Sequence, residues 1–150
     1  MGTQVFRVLN AFYRKHSANV VYGNFVEYHS IQQLLRLGFS KEYDDVEKRD
    51  NTYRSMGQKF GNLKSFKTRL ISFIKEKDFR DTFGNFYRYA GDYALMYPLL
   101  ELACGQVRYM PEFNYLYFGY EIDPTYGSMQ IATGRAIRER PRYECFKRYK

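Results

Sequence analysis

One acid stands at the mouth of the longest apolar run in this chain, and it is the residue best placed to do chemistry. The stretch reads Ala90-Gly91-Asp92-Tyr93-Ala94-Leu95-Met96-Tyr97-Pro98-Leu99-Leu100-Glu101-Leu102-Ala103-Cys104-Gly105, and then gives way to Gln106-Val107-Arg108-Tyr109-Met110-Pro111. An Asp ahead of a periodic apolar segment suits a helix N-terminus, where its carboxylate can accept hydrogen bonds from unpaired amides. The same carboxylate, held by a rigid helix at the edge of a cleft, could instead exchange a proton with a bound ligand. Gly105 supplies a stop for that helix. Pro98 lies too deep to be a first-turn proline and predicts a kink.

Other residue types offer less. His16 and His29 lack cysteine or acidic companions at ligand spacing, so no metal site is predicted from them. Cys104 and Cys145 have no metal-type spacing and read as one buried thiol and one tail thiol, which fits a reducing compartment and a cytoplasmic protein. The adjacent acids Asp44 and Asp45 fall in a charged segment and read as solvent-exposed. Neither a phosphate-binding loop nor a dinucleotide fingerprint occurs.

The elements that must position Asp92 can be read in order. Thr3 to Arg14 has apolar residues three and four apart and predicts a short amphipathic helix. Asn19 to Tyr28 is β-rich and predicts a strand. Ile31, Leu34, Leu35 and Leu37 suggest one or two helical turns ending at Gly38. Ser40 to Gly61 is polar and reads as a long loop. Asn62 opens what looks like the clearest helix, with Leu63, Phe66, Leu70, Ile71, Phe73 and Ile74 on one face and Asn62 as cap. Val107 to Tyr120 predicts one or two strands broken near Pro111. Tyr126 to Arg140 predicts a terminal helix stopped by Pro141.

At 150 residues the chain is one domain with room for a real core, and 19% aromatic content excludes disorder. No apolar run approaches the ~20 residues needed to span a bilayer, and the start lacks a signal-peptide pattern. The net charge of +8 is concentrated late: Gln130 to Lys150 carries seven basic residues against Glu139 and Glu144. The tail from 138 to 150, with Tyr143, Phe146 and Tyr149 interleaved, could meet the phosphates of nucleic acid or of an anionic membrane surface, or simply be solvated.

The block "A-G-D-Y-A-L-M-Y-P-L-L-E-L-A-C-G" followed by "Y-M-P-E-F-N-Y-L-Y" resembles the C-terminal half of family-2 glycosyltransferases with the GT-A fold, one subgroup of which reads roughly "A-T-D-x-A-M-x-P-M-L-E-M-A-G" and then "I-P-E-x-L-Y-x-Y-N". The likeness extends as spaced fragments through Val21-Tyr22-Gly23, Asn62-Leu63-Lys64-Ser65-Phe66, Ile137-Arg138 and Tyr143. It implies an α/β, partial GT-A-like domain with a small mixed sheet and three or four helices. It also implies transfer of a hexose-type sugar, with Asp92 as the general base and Tyr22, Pro98 and Glu101 shaping the acceptor side. Two parts of the family pattern are missing. No Asp-x-Asp follows an apolar strand, and Phe118-Gly119-Tyr120-Glu121-Ile122-Asp123 stands where the subgroup has "N-x-x-N-P-L-N-D". The resemblance therefore implies one of two things. Either this chain is the acceptor half of a split enzyme, the nucleotide sugar and a divalent metal (Mg or Mn) arriving with a partner, or it is a catalytically inactive, glycosyltransferase-derived subunit of a larger assembly. Both readings expect a second protein chain.

Overall fold

The architecture follows from one strand that is apolar on both faces. The computed structural model describes residues 4–119 and 124–145. Strand β1 (Val20–His29) begins with Val20, Val21 and Tyr22, all fully buried. Val20 and Tyr22 enter the main core, whereas Val21 points the other way, into a smaller cluster with Ala18 and Met110 that is covered by Leu9, Phe12 and Tyr13 of helix α1 (Gln4–His16). A continuous apolar run is what a strand covered on both sides requires.

The sheet is small and mixed. Strand β2 (Leu34–Leu37) runs antiparallel to the second half of β1, and β3 (Lys64–Phe66) antiparallel to its first half. Strand β4 (Val107–Gly119) runs parallel to β1 along its whole length, from Val20 opposite Val107 to His29 opposite Gly119. The ladder steps out of register around Asn24: Met110 faces Gly23 and Phe113 faces Asn24, so Pro111 and Glu112 fall in a bulge. Proline lacks an N–H for the ladder, and a bulge is where a strand tolerates it. Helix α3 (Gly91–Leu102) carries the chain back to start β4 and gives the main core Ala94, Met96, Tyr97, Leu99, Leu100 and Leu102. Pro98 lies inside this helix, which ends as Cys104 and Gly105 turn into positive φ. Helix α4 (Pro124–Arg138) packs on α3, and a final segment through Cys145 crosses the core. The α/β class with a small mixed sheet is as expected, and the expected helices at both ends and strand after Asn19 are present.

Three expectations fail. Ile31 to Leu37 is not helical: Leu34–Leu37 pairs with β1, and the apolar side chains stand exposed on the strand. The polar loop from Ser40 contains helix α2 (Asp45–Asp50), nucleated by a reciprocal cap in which the Glu47 N–H donates to Asp44 and the Asp44 N–H donates to Glu47. Asp44 and Asp45 are exposed as expected, and Asp44 in addition caps this helix. The helix expected from Asn62 is absent. Its place is taken by β3 and two 3-10 turns, Thr68–Phe73 and Glu76–Phe79. Only Leu70 and Ile74 of the expected face are buried. A spacing of four residues between two buried side chains does not distinguish an α-helix from one short 3-10 turn and its cap laid on a core.

The cysteines also differ from expectation. Cys104 and Cys145 form a disulfide closing a 41-residue separation, so neither is a thiol, and the reducing-compartment argument built on free cysteines falls away. Among the described residues, no helix is long and apolar enough to cross a membrane.

Tyrosine hydroxyls are tied into this core. The Tyr22 hydroxyl donates to the Lys41 carbonyl at 2.7 Å, and the Tyr43 hydroxyl to that of Gly57 at 2.9 Å. Burial pushes Tyr22, Tyr43 and Tyr53 above the usual tyrosine range, and Tyr97 and Tyr143 up to about 12. Groups with raised folded pKa values stabilise the fold fully below the unfolded value of about 10, and that stability drains as pH rises through the folded values. Ultraviolet titration of tyrosinate should therefore show at least these five tyrosines appearing only in a cooperative step with alkaline unfolding. A single transition near pH 10 for all sixteen tyrosines would contradict the buried hydroxyls.

Candidate active site

Asp92 is not a cap. The residue at the N-terminal boundary of α3 is Ala90, in a left-handed conformation (φ 50°, ψ 28°) with no side-chain hydrogen bond of its own. Asp92 lies within the first turn, where a carboxylate is favoured by the helix dipole, and its Oδ2 accepts from Lys64 Nζ at 2.8 Å. Lys64 sits on β3 opposite Tyr22, its ammonium 5.8 Å from the centre of the Phe60 ring. The strand and the helix thus bring a cation and an anion together from 28 residues apart. The Asp92 side chain remains 39% exposed and that of Lys64 22%. The pair faces an open hollow of about 250 Å³.

The walls of that hollow mix rings with hydrogen-bonding groups. Phe25, Phe39 and Tyr117 supply apolar faces; Gln58, Asn62 and Gln130 supply amides; Glu27 is a second carboxylate. Tyr93, one residue past Asp92, hydrogen-bonds through its hydroxyl to Gln58 Oε1. Burial, followed by the Asp92 charge, raises the Tyr93 pKa. Two glycines shape the surroundings. A Cβ at Gly61 would come within 2.1 Å of Ser40 Oγ and 2.9 Å of the Phe25 ring, and one at Gly134 within 2.8 Å of the Tyr93 ring. Gly134→Ala is expected to displace Tyr93 and loosen α4 from α3, costing about 1–3 kcal/mol as overpacking does. Urea denaturation measures this, and wild-type stability in the variant would show that Tyr93 has room to move.

The other three residues expected on the acceptor side do not line this hollow. Tyr22 is fully buried, its hydroxyl engaged by Lys41 and by the Tyr43 N–H. Pro98 is buried inside α3. Glu101, 1% exposed, accepts from Arg54 Nε at 2.5 Å and Nη2 at 3.0 Å and from the Tyr143 N–H at 2.9 Å. These are core contacts. Conversely, Lys64, Glu27, Gln58 and Gln130 were not singled out from sequence. Lys64 could have been suspected only by reading Asn62–Phe66 as a strand, because a helix there would have sent it elsewhere.

A metal has little to hold it. Among the described residues no three His, Cys, Asp or Glu side chains converge. Asp92 and Glu27 are the carboxylates that line the hollow, and Asp92 already has Lys64 as counter-ion. Among the described residues, these two carboxylates do not by themselves make up a ligand set for a divalent cation. The tail expected to be basic lies partly outside the described residues, at 146–150. No family model, curated protein or solved structure matches the chain.

Proposed function

We propose that this chain forms the acceptor side of an inverting, nucleotide-sugar-dependent glycosyltransferase, with Asp92 as general base and a second polypeptide supplying the nucleotide-sugar half. What supports the reading is the placement of Asp92: first turn of an apolar helix, free of capping, and open to a hollow lined by amides and rings. An acceptor hydroxyl held within hydrogen-bond reach of the carboxylate gives up its proton to Asp92 as its oxygen attacks the anomeric carbon. The bond from that carbon to the nucleotide diphosphate breaks on the opposite face. Lys64 holds the carboxylate from the strand side, so that its free edge is presented rather than rotated away. Any cation that neutralises the leaving diphosphate belongs to the partner, and no step here runs through it.

The test is turnover of sugar nucleotides by the chain together with the protein that copurifies with it. Loss of a positioned general base is worth roughly 10²–10⁴ in rate, so Asp92→Asn should reduce kcat by that factor while leaving KM nearly unchanged. Undiminished turnover in Asp92→Asn removes the base role.

A second reading, that of an inert interaction subunit, is favoured by a different observation. Ile31, Leu34, Leu35, Leu37 and Phe118 are each about half to three-quarters exposed around the β1–β2 hairpin end of the sheet. Such clustered apolar surface marks a protein contact. A stoichiometric complex with no turnover on any sugar nucleotide would favour this reading over the enzyme.

A further inference from the structure

The end of the sheet that carries the β1–β2 hairpin exposes apolar side chains on both faces. Residues opposite one another in a ladder point to the same side of a sheet. Val26 lies opposite Leu37 and Leu116, and Tyr28 opposite Leu35 and Phe118. Three strands thus put six apolar or aromatic side chains, and no charge, on one face. On the reverse face His29 lies opposite Leu34, and Glu27 opposite Arg36 and Tyr117, while Ile31 stands in the turn. Every residue of β2 is exposed. Neither apolar cluster of the core takes in a residue of 26–39 or, among the described residues, of 115–119.

This concentration sets the hairpin end apart from the rest of the surface. Among the described residues nineteen large apolar side chains stand exposed, and eight of them fall within the twelve positions 31–39 and 116–118. Ile31, Leu35, Leu37 and Phe118 are each more than half exposed. An edge strand left in water is usually blunted by charges or proline, yet Leu34–Leu37 carries one arginine and no proline. Apart from His29, the only titratable acid or base at 26–39 and 115–119 is the pair Glu27 and Arg36, which oppose each other in the ladder. Arg36 Nη2 donates to Gln32 Oε1 at 2.7 Å. Those two charges cancel, so the whole net charge of +8 lies elsewhere on the chain.

We propose that this end of the sheet inserts into the boundary between headgroups and acyl chains of an anionic phospholipid membrane. Exposed apolar surface of this extent marks a protein or a membrane contact. A protein partner, as the inert-subunit reading has it, packs on one face of a sheet and leaves the other in water. Acyl chains close around both faces and the turn at once. They meet Leu35 and Leu37 on one side, Leu34 on the other and Ile31 between. A second copy of the chain covers one face only and sets +8 against +8. The same +8 draws the chain toward negative headgroups. Leu34, Leu35 and Leu37 line no part of the Asp92 hollow, so the inference is independent of the sugar-transfer reading.

Flotation of the full chain with vesicles of phosphatidylcholine, alone or mixed with phosphatidylserine, tests it. Binding to the mixed vesicles should be the stronger. The chain has no tryptophan, so Leu37→Trp places a single reporter at the site. Its emission should shift to the blue on the mixed vesicles and be quenched by lipids brominated on their acyl chains. Leu35→Thr, Leu37→Thr, which keeps strand propensity, should lose roughly tenfold or more in affinity. Leu34→Thr, on the opposite face, should lose roughly threefold or more. Near-ultraviolet circular dichroism confirms that each variant is folded. Absence of binding to the mixed vesicles overturns the proposal, as does adsorption that leaves the tryptophan unquenched and survives the leucine substitutions. Loss in Leu35→Thr, Leu37→Thr with none in Leu34→Thr also overturns it, because one covered face is what a protein partner gives. A dimer in analytical ultracentrifugation that Leu35→Thr, Leu37→Thr dissolves replaces the membrane with a second copy.

Discussion

Arg54→Met is expected to cost about 3–5 kcal/mol of stability, because it strands a buried carboxylate. Arg54 donates twice to Glu101 and once to the Ile137 carbonyl at 2.6 Å, and so joins the loop after α2 to α3 and to the end of α4. The Glu101 side chain has no solvent exposure and Arg54 only 10%, so neither can turn to water for compensation. Burial already pushes the Glu101 carboxyl above the usual carboxylate range, against the opposing pull of Arg54 and the Tyr143 amide. Removing the guanidinium raises it further. A carboxyl whose folded pKa exceeds its unfolded value stabilises the fold below the unfolded pKa and loses that contribution as pH rises through the folded one. Arg54→Met should therefore be least harmful near pH 4 and most harmful above pH 7. Urea midpoints across that range measure it, and a pH-independent deficit would mean that packing around the arginine stem, rather than the stranded charge, carries the loss. For a domain of this size each kcal/mol moves Tm by roughly 2–4 °C, so a fall of about 10 °C is expected at neutral pH.

Reducing the disulfide is the second large effect. Closing a loop of 41 residues restricts the unfolded chain by about 4 kcal/mol in the chain-entropy account. The segment it secures is also held by contacts. The Tyr143 N–H reaches Glu101, its carbonyl accepts from Asn51 Nδ2 at 2.9 Å, and its hydroxyl accepts from the Lys75 N–H at 2.8 Å and bonds Asp78. Arg140 adds donors to the Lys77 and Arg80 carbonyls. These bonds remain after reduction, so the expected outcome is a folded but weaker protein. Denaturation with and without reductant should differ by roughly 3–4 kcal/mol, with Cys104→Ser, Cys145→Ser matching the reduced form. A difference below about 1 kcal/mol would show that the unfolded chain stays compact between the two cysteines without the bond.

How much of this was written plainly in the sequence depends on how local the cause is. The helix from Gly91 was legible because a long apolar run with an acid before it and a glycine after it leaves few alternatives. Strand β1 was legible because β-branched residues in succession fit a strand buried on both faces. The Leu34–Leu37 strand was not, because its side chains are exposed and its only reason to extend is the neighbouring edge of β1. The stretch from Asn62 failed for a related reason. Phe66, Leu70 and Ile74 recur at four-residue spacing, yet Phe66 is tied to Val20 across β3, Leu70 lies in a short 3-10 turn and Ile74 only caps that turn's end. Asp92 was identified as the acid of interest, but its partner Lys64 could be found only in three dimensions. Tyr22 and Glu101 looked like cleft residues and are core ones, because a polar atom in the sequence does not declare whether its hydrogen bonds are already spent.

The parallel pairing of β1 with β4 has a consequence for how the molecule is made. Its two strands lie almost ninety positions apart, and among the described residues no other strand pairs with that edge of β1. A growing polypeptide emerging from the ribosome must carry its most apolar strand half-paired until residues 107–119 have been synthesised. Long-range pairing of this kind is slow to form, and an open strand border in the meantime invites wrong partners. Folding in the cell is thus gated by the arrival of residues 107–119, and a nascent chain halted before them lacks the piece that completes the sheet.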